Sequence, residues 1–167
     1  MLLKIILIYR AYFAFSKNPR TTSKGLDTSA IYGFTNILLD LINQEKPQYL
    51  GVVFDTPQKT HRHIQYVEYK ANREAMPEGI STALPYIKDI LKAFKIPILS
   101  IEGFEADDVI GTLAKQAELE NFQTYMMTPD KDFAQLVTKN TFMYRPGIRG
   151  NANEIWDVNK VCEKFDI

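Results

Sequence analysis

Short apolar runs recur along the chain at Leu2 to Ile8, Tyr49 to Phe54, Ile96 to Ile101, Thr124 to Met127 and Thr141 to Tyr144. Each is bounded by polar, Gly or Pro residues, as buried strands usually are. Between them apolar positions fall at helical spacing: Ile31, Phe34, Leu38, Leu41 and Ile42 within Ser29 to Asn43; Leu84, Ile87, Ile90, Leu91 and Phe94 within Ile80 to Lys95; Val109, Ile110, Leu113 and Ala117 within Ala106 to Glu118. A closing segment, Asp157 to Ile167, reads as a short helix. The order alternates strand and helix, which predicts an α/β fold with a mostly parallel central sheet flanked by helices. In such sheets ligands bind in the crevice beyond the carboxyl ends of the strands.

Thr56 to Pro77 breaks the alternation. It is polar, carries Lys59, His61, Arg62, His63, Lys70 and Arg73, and shows only patchy helical periodicity. The expectation is an excursion over the strand ends.

Six carboxylates stand where strands finish. Asp55 follows Val52-Val53-Phe54; Glu105, Asp107 and Asp108 follow the next strand and open a helix; Asp130 and Asp132 follow the strand after that. Three segments thus bring acidic groups to one sheet edge. Like charges so placed repel unless a cation sits among them, and hard oxygen ligands favour Mg²⁺ or Mn²⁺ over zinc. Two such ions suit phosphodiester hydrolysis, with no nucleophilic side chain required. A blander reading stands beside this one. Acidic residues in a first helical turn also cap free N–H groups and favour the positive end of the helix, and an Asp after a strand is often a turn residue.

Three stretches closely resemble the 5′-3′ exonuclease domain of bacterial DNA polymerase I: Val52-Val53-Phe54-Asp55, the run from Gly103 to Ala114 (GFEADDVIGTLA), and the run from Thr128 to Val137 (TPDKDFAQLV). Ile8 to Phe15 and Tyr69-Lys70-Ala71-Asn72-Arg73 look like the same family, so the similarity covers nearly the whole chain. The resemblance implies a PIN-like 5′ nuclease fold and a divalent-metal-dependent 5′-3′ exonuclease or flap endonuclease acting on DNA with a 5′ flap or 5′ end in replication and repair, with a polymerase domain as a partner in the full-length protein. It implies two metals, Mg²⁺ or Mn²⁺, with Asp55, Glu105, Asp107 and Asp108 mainly on the tighter one and Asp130 and Asp132 nearer the second. It also makes residues 56–77 an arch in which Lys70 and Arg73 touch phosphates, Tyr69 stacks on a base, and Arg10 reaches phosphate; Lys70, Arg73 and Arg10 are the basic residues expected to assist catalysis.

Two departures stand out. The family carries an aspartate at the end of its first strand, and counting back from Ile8-Tyr9-Arg10 that position falls on Leu3. If the neighbouring Lys4 points inward, its ammonium partly replaces the cation electrostatically. The family also continues with a Gly-Asp-rich segment and a helix-three-turn-helix that lie outside these 167 residues. On that reading residues 1–167 are the N-terminal part of the domain, the second metal is weakly held, and the grip on duplex DNA is reduced. The alternative function is a catalytically silent or incomplete nucleic-acid-binding fragment of the same family. A PIN-type ribonuclease leaves the Tyr69-Lys70 stretch unexplained, and a phosphatase-like domain lacks a phosphate-cradling glycine loop.

Composition adds little. Lys plus Arg and Asp plus Glu balance at 20 each, so any basic face is local. His61 and His63 lack further ligands for zinc and are expected to be exposed arch residues, and the single Cys162 is expected to be inert. The lone cysteine and the short, interrupted apolar start fit a cytoplasmic protein.

Overall fold

The computed structural model describes residues 1–72, 74–147 and 152–167. Two compact units are formed. One comprises Met1–Lys4, Tyr49–Gln58 and Leu99–Ile167, the other Ile5–Gln48 and Lys59–Ile98.

The sheet is built of β1 (Leu2–Lys4), β2 (Gly51–Val53), β3 (Ile98–Leu99), β4 (Thr124–Met127), β5 (Thr141–Arg145) and β6 (Glu154–Trp156), in the spatial order β3-β2-β1-β4-β5-β6. β1 runs parallel to β2 on one side, with Leu3 opposite Val52, and to β4 on the other, with Leu3 opposite Met127. β4 and β5 are also parallel, whereas β6 returns antiparallel along β5. The mostly parallel sheet read from the sequence is therefore present.

Several boundaries move. The apolar run Leu2 to Ile8 was expected to be one strand; β1 stops at Lys4, and a helix, α1 (Leu7–Ala14), begins three residues later. Leu3, Leu7 and Ile8 are all buried, so the run is apolar because it serves two buried elements in succession, and periodicity does not separate them. The run Ile96 to Ile101 contributes only the two residues of β3. The strand β6, unread in the sequence, is a three-residue edge strand whose pattern is too short to register.

In the first unit α5 (Ala106–Leu119) packs on β1, β2 and β4. Val109, Ile110 and Ala114 from α5 join Val53, Met126, Met143, Phe133 and Trp156 in one buried cluster. A 3₁₀ helix, Lys131–Leu136, follows β4, and α6 (Val158–Phe165) follows β6, capped by the Asp157 carboxylate accepting from Lys160 N. The expected helix over Asp157 to Ile167 is thus found.

In the second unit α1 packs on α2 (Ser29–Glu45), and both touch α4 (Glu78–Ala93). The close approach of α1 and α2 needs Gly33: a Cβ there would lie 2.9 Å from Ala11 Cβ. Phe34, Leu38, Ile80, Ile87 and Leu91 are buried. The polar excursion contains one short helix, α3 (His61–Gln65). Its Thr60 N-cap forms a reciprocal capping box with His63, whose ring lies 2.7 Å from Thr60 Oγ1. His61 and His63 are half-buried rather than exposed, because α3 turns this edge inward while Ile64, Tyr66 and Val67 face solvent.

A carboxylate site around a buried lysine

The site lies within the first unit, where β1, β2 and β4 end. Asp55 comes two residues after β2 and is exposed; its Oδ1 accepts from Ala106 N at 2.8 Å, tying the end of β2 to the start of α5. Gly103, at φ +82°, takes a left-handed turn that a side chain would strain, two residues before Glu105 at the α5 N-cap. Glu105 is buried and accepts from the backbone N–H of Asp108, while Asp108 Oδ2 accepts from Glu105 N at 3.0 Å. Two carboxylates expected on metal therefore serve here as a reciprocal cap on the first turn of α5.

Asp107, in that same turn, points to the end of β1. There Lys4, only 6 % exposed, pairs with Asp107 Oδ1 and places its Nζ 3.5 Å from Asp130 Oδ2. The ammonium also stands 5.3 Å from the centre of the Phe133 ring, a cation–π distance. Asp130 is held by Thr128 Oγ1, which accepts from Asp130 N at 3.2 Å, and Asp130 Oδ1 in turn accepts from Asp132 N at 3.1 Å. Asp132 is exposed.

Burial pushes the Asp107 carboxyl above its usual value; the Lys4 contact works the other way, and the neighbouring charges of Asp55 and Asp130 add to the rise. The charges of Asp55 and Asp130 thus both reach Asp107.

A carboxyl raised in the folded state favours folding below its ordinary pKa of 3.8, and that contribution is lost as pH climbs through the raised value. In EDTA, Asp107→Asn is therefore expected to gain stability relative to the unchanged protein as pH rises from about 4 towards neutrality. Urea midpoints of the two chains across that range check this; parallel curves would contradict it.

The donor set is all hard oxygen around an ammonium that already stands in as a cation, so its chemistry fits Mg²⁺ or Mn²⁺. Among the described residues, however, no three His, Cys, Asp or Glu side chains converge closely enough to hold an ion as they are arranged here. Lys4, inferred from sequence only as a conditional substitute, is the residue that fills this space. The signal for it was a single Lys closing an otherwise apolar strand.

The basic and aromatic candidates belong to the second unit. Arg10 is half-buried on α1. Tyr69 meets the His63 ring edge-on at 5.2 Å, and the ammonium of Lys70 lies 4.9 Å from the Tyr69 ring centre. Lys70 adopts a positive φ of 58°. Arg73 lies outside the described residues. The free Cys162 is half-buried on α6.

A family model for the 5′-3′ exonuclease, N-terminal resolvase-like domain, matches residues 5–166, and the chain belongs to that family. It is 42% identical over 160 residues to a 5′-3′ exonuclease of Aquifex aeolicus, covering 96% of this chain and 53% of that protein. It is also 42% identical over 135 residues to DNA polymerase I of Bacillus subtilis, covering 81% of this chain and 15% of the polymerase. The chain thus spans about half of the first relative and a small part of the second. Among solved structures, the T5 D15 protein co-crystallised with metal ions superposes with a TM-score of 0.71 at 19% identity, over 100% of this chain and 60% of that one. The catalytic core of Rad2 in complex with a DNA substrate gives 0.56 at 17% identity, over 100% of this chain and 50% of that one. These structural likenesses bear on the fold. Among the described residues no helix is long and apolar enough to cross a membrane.

Proposed function

We propose that the chain is the N-terminal part of a divalent-metal-dependent 5′ nuclease that hydrolyses DNA phosphodiesters at 5′ flaps or 5′ ends. The observation that carries this reading is the Lys4 ammonium shared between Asp107 and Asp130 at two strand ends, with Asp55 at a third tied to the start of α5 through Ala106 N. Family membership and the 5′-3′ exonuclease of Aquifex aeolicus support it and disfavour a silent binding fragment.

Asp55, Asp107 and Asp130 are the residues to hold Mg²⁺ or Mn²⁺, with Glu105 and Asp108 available once their contacts with the α5 backbone are given up, and the exposed Asp132 as a further candidate. A bound divalent ion would supply a water of lowered pKa and positive charge for the phosphate oxygens. The short bond from Asp55 to Ala106 N keeps β2 and α5 in register, so that Asp55 and Asp107 are presented together. Arg10, Lys70 and Arg73 are the candidates for phosphate contacts, Arg by its planar fork and Lys as a point charge. Tyr69 is the candidate for stacking on a terminal base. A polymerase domain is the expected neighbour in a longer protein, as in the DNA polymerase I relatives.

The test is single-turnover cleavage of a 5′-labelled flap duplex with Mn²⁺ or Mg²⁺ against an EDTA control, with labelled products sized. Metal-dependent release of the flap or of 5′ nucleotides is expected. A folded chain at saturating concentration that leaves the duplex intact under all conditions would remove the nuclease reading.

A further inference from the structure

Lys4 has no task in the chemistry proposed above, yet it is the most deeply buried charged side chain beside the carboxylates Asp107 and Asp130. Burying an ammonium is costly unless it is paired, and here the pairing is supplied by two carboxylates that would otherwise repel each other. The residue one position earlier, Leu3, is fully buried and brings no carboxylate to this strand. β1 is hydrogen-bonded on both sides, to β2 and to β4, so its backbone is fixed and only the Lys4 side chain is free to change position.

We propose that the Lys4 ammonium is a tethered competitor for the divalent ion between Asp107 and Asp130, so that a metal enters this point only by expelling it. The inference rests on the reading that these carboxylates take Mg²⁺ or Mn²⁺. It follows that the metal-free protein carries its own counter-cation and needs no ion to hold the two carboxylates together. It also follows that a metal at this position binds more weakly than the same carboxylates would bind it with a neutral residue on β1. A lysine that merely stabilised the fold would lower stability when removed and leave metal binding unchanged.

Calorimetric titration of Mn²⁺ into the unchanged chain and into Lys4→Met distinguishes the two. The Met variant is expected to bind Mn²⁺ about 10- to 100-fold more tightly, or to take one ion more, because a fixed positive charge has been withdrawn from the ligand set. In EDTA it should melt below the unchanged chain, and saturating Mn²⁺ should close that gap. Equal affinity and equal stoichiometry in both chains would overturn the proposal. Should the Met variant not fold, acylation of Lys4 in the unchanged chain, mapped by mass spectrometry, decides the matter. Lys4 should be protected in EDTA and labelled faster in saturating Mn²⁺, and an unchanged labelling rate would overturn the proposal. Flap cleavage is scored separately. Tighter Mn²⁺ binding by Lys4→Met with no cleavage by either chain keeps this inference and removes the nuclease reading; cleavage by both with identical Mn²⁺ binding does the reverse.

Discussion

Asp107→Ala is expected to lower metal-dependent flap cleavage by about three orders of magnitude, equivalent to about 4 kcal/mol of transition-state stabilisation, while the chain stays folded. Two features combine to set this expectation. Asp107 is the carboxylate nearer the Lys4 ammonium, which also reaches Asp130, and its ionised form is disfavoured by burial and by the charges of Asp55 and Asp130. Its removal leaves Lys4 within reach of Asp130 and withdraws a carboxyl that burial disfavours in its ionised form, so no large loss of stability should follow. Single-turnover rates measured alongside circular dichroism of both chains check the claim. Residual cleavage within tenfold of the unchanged chain would show that the reaction does not run through this group.

The largest structural effect is expected at Trp156. Its ring is 2 % exposed and packs with Val53, Met126 and Met143, its Nε1 donates to Glu154 Oε2 at 3.0 Å, and the Arg145 guanidinium lies 4.5 Å from its centre. Phe165 of α6 meets it edge-on. Trp156→Ala should therefore cost about 3–5 kcal/mol, through lost burial and a cavity that the fixed sheet cannot close. Ile155 on the same strand is 49 % exposed, and Ile155→Ala should cost under about 1 kcal/mol. Urea denaturation of both variants gives the comparison; similar losses at the two positions would contradict the assignment of β6 to the core.

How far the sequence discloses such features depends on how long each pattern is. β4 occupies Thr124–Met127, the expected span, and α2 begins at Ser29 as its periodicity predicts. Those elements are bounded by polar residues and show their full pattern. β6 is three residues long and buries only Trp156, so no repeat exists to be read. The junction of β1 and α1 is hidden for the opposite reason, since both neighbours are buried and apolar residues resume directly after Lys4, which is itself buried. At the site, sequence spacing placed the carboxylates at strand ends, and resemblance singled out Leu3 as a departure. Spacing did not reveal which carboxylates face one another and which turn back to cap the backbone. That division is set by local hydrogen bonds: Glu105 and Asp108 satisfy the free N–H groups of α5, while Asp107 turns towards Lys4.

β1 sits in the interior of the sheet, with Leu2 beside Gly51 on one side and Met126 on the other. Its three residues come at the head of the sequence, whereas one of its partners arises from a strand more than two thirds of the way along. The sheet therefore closes late. Pairing of this kind requires long loops to be closed before any ladder forms, which slows folding and leaves strand edges open in the meantime. The same closure brings Lys4 between Asp107 and Asp130, so these two carboxylates share their ammonium only once β1 lies beside β4.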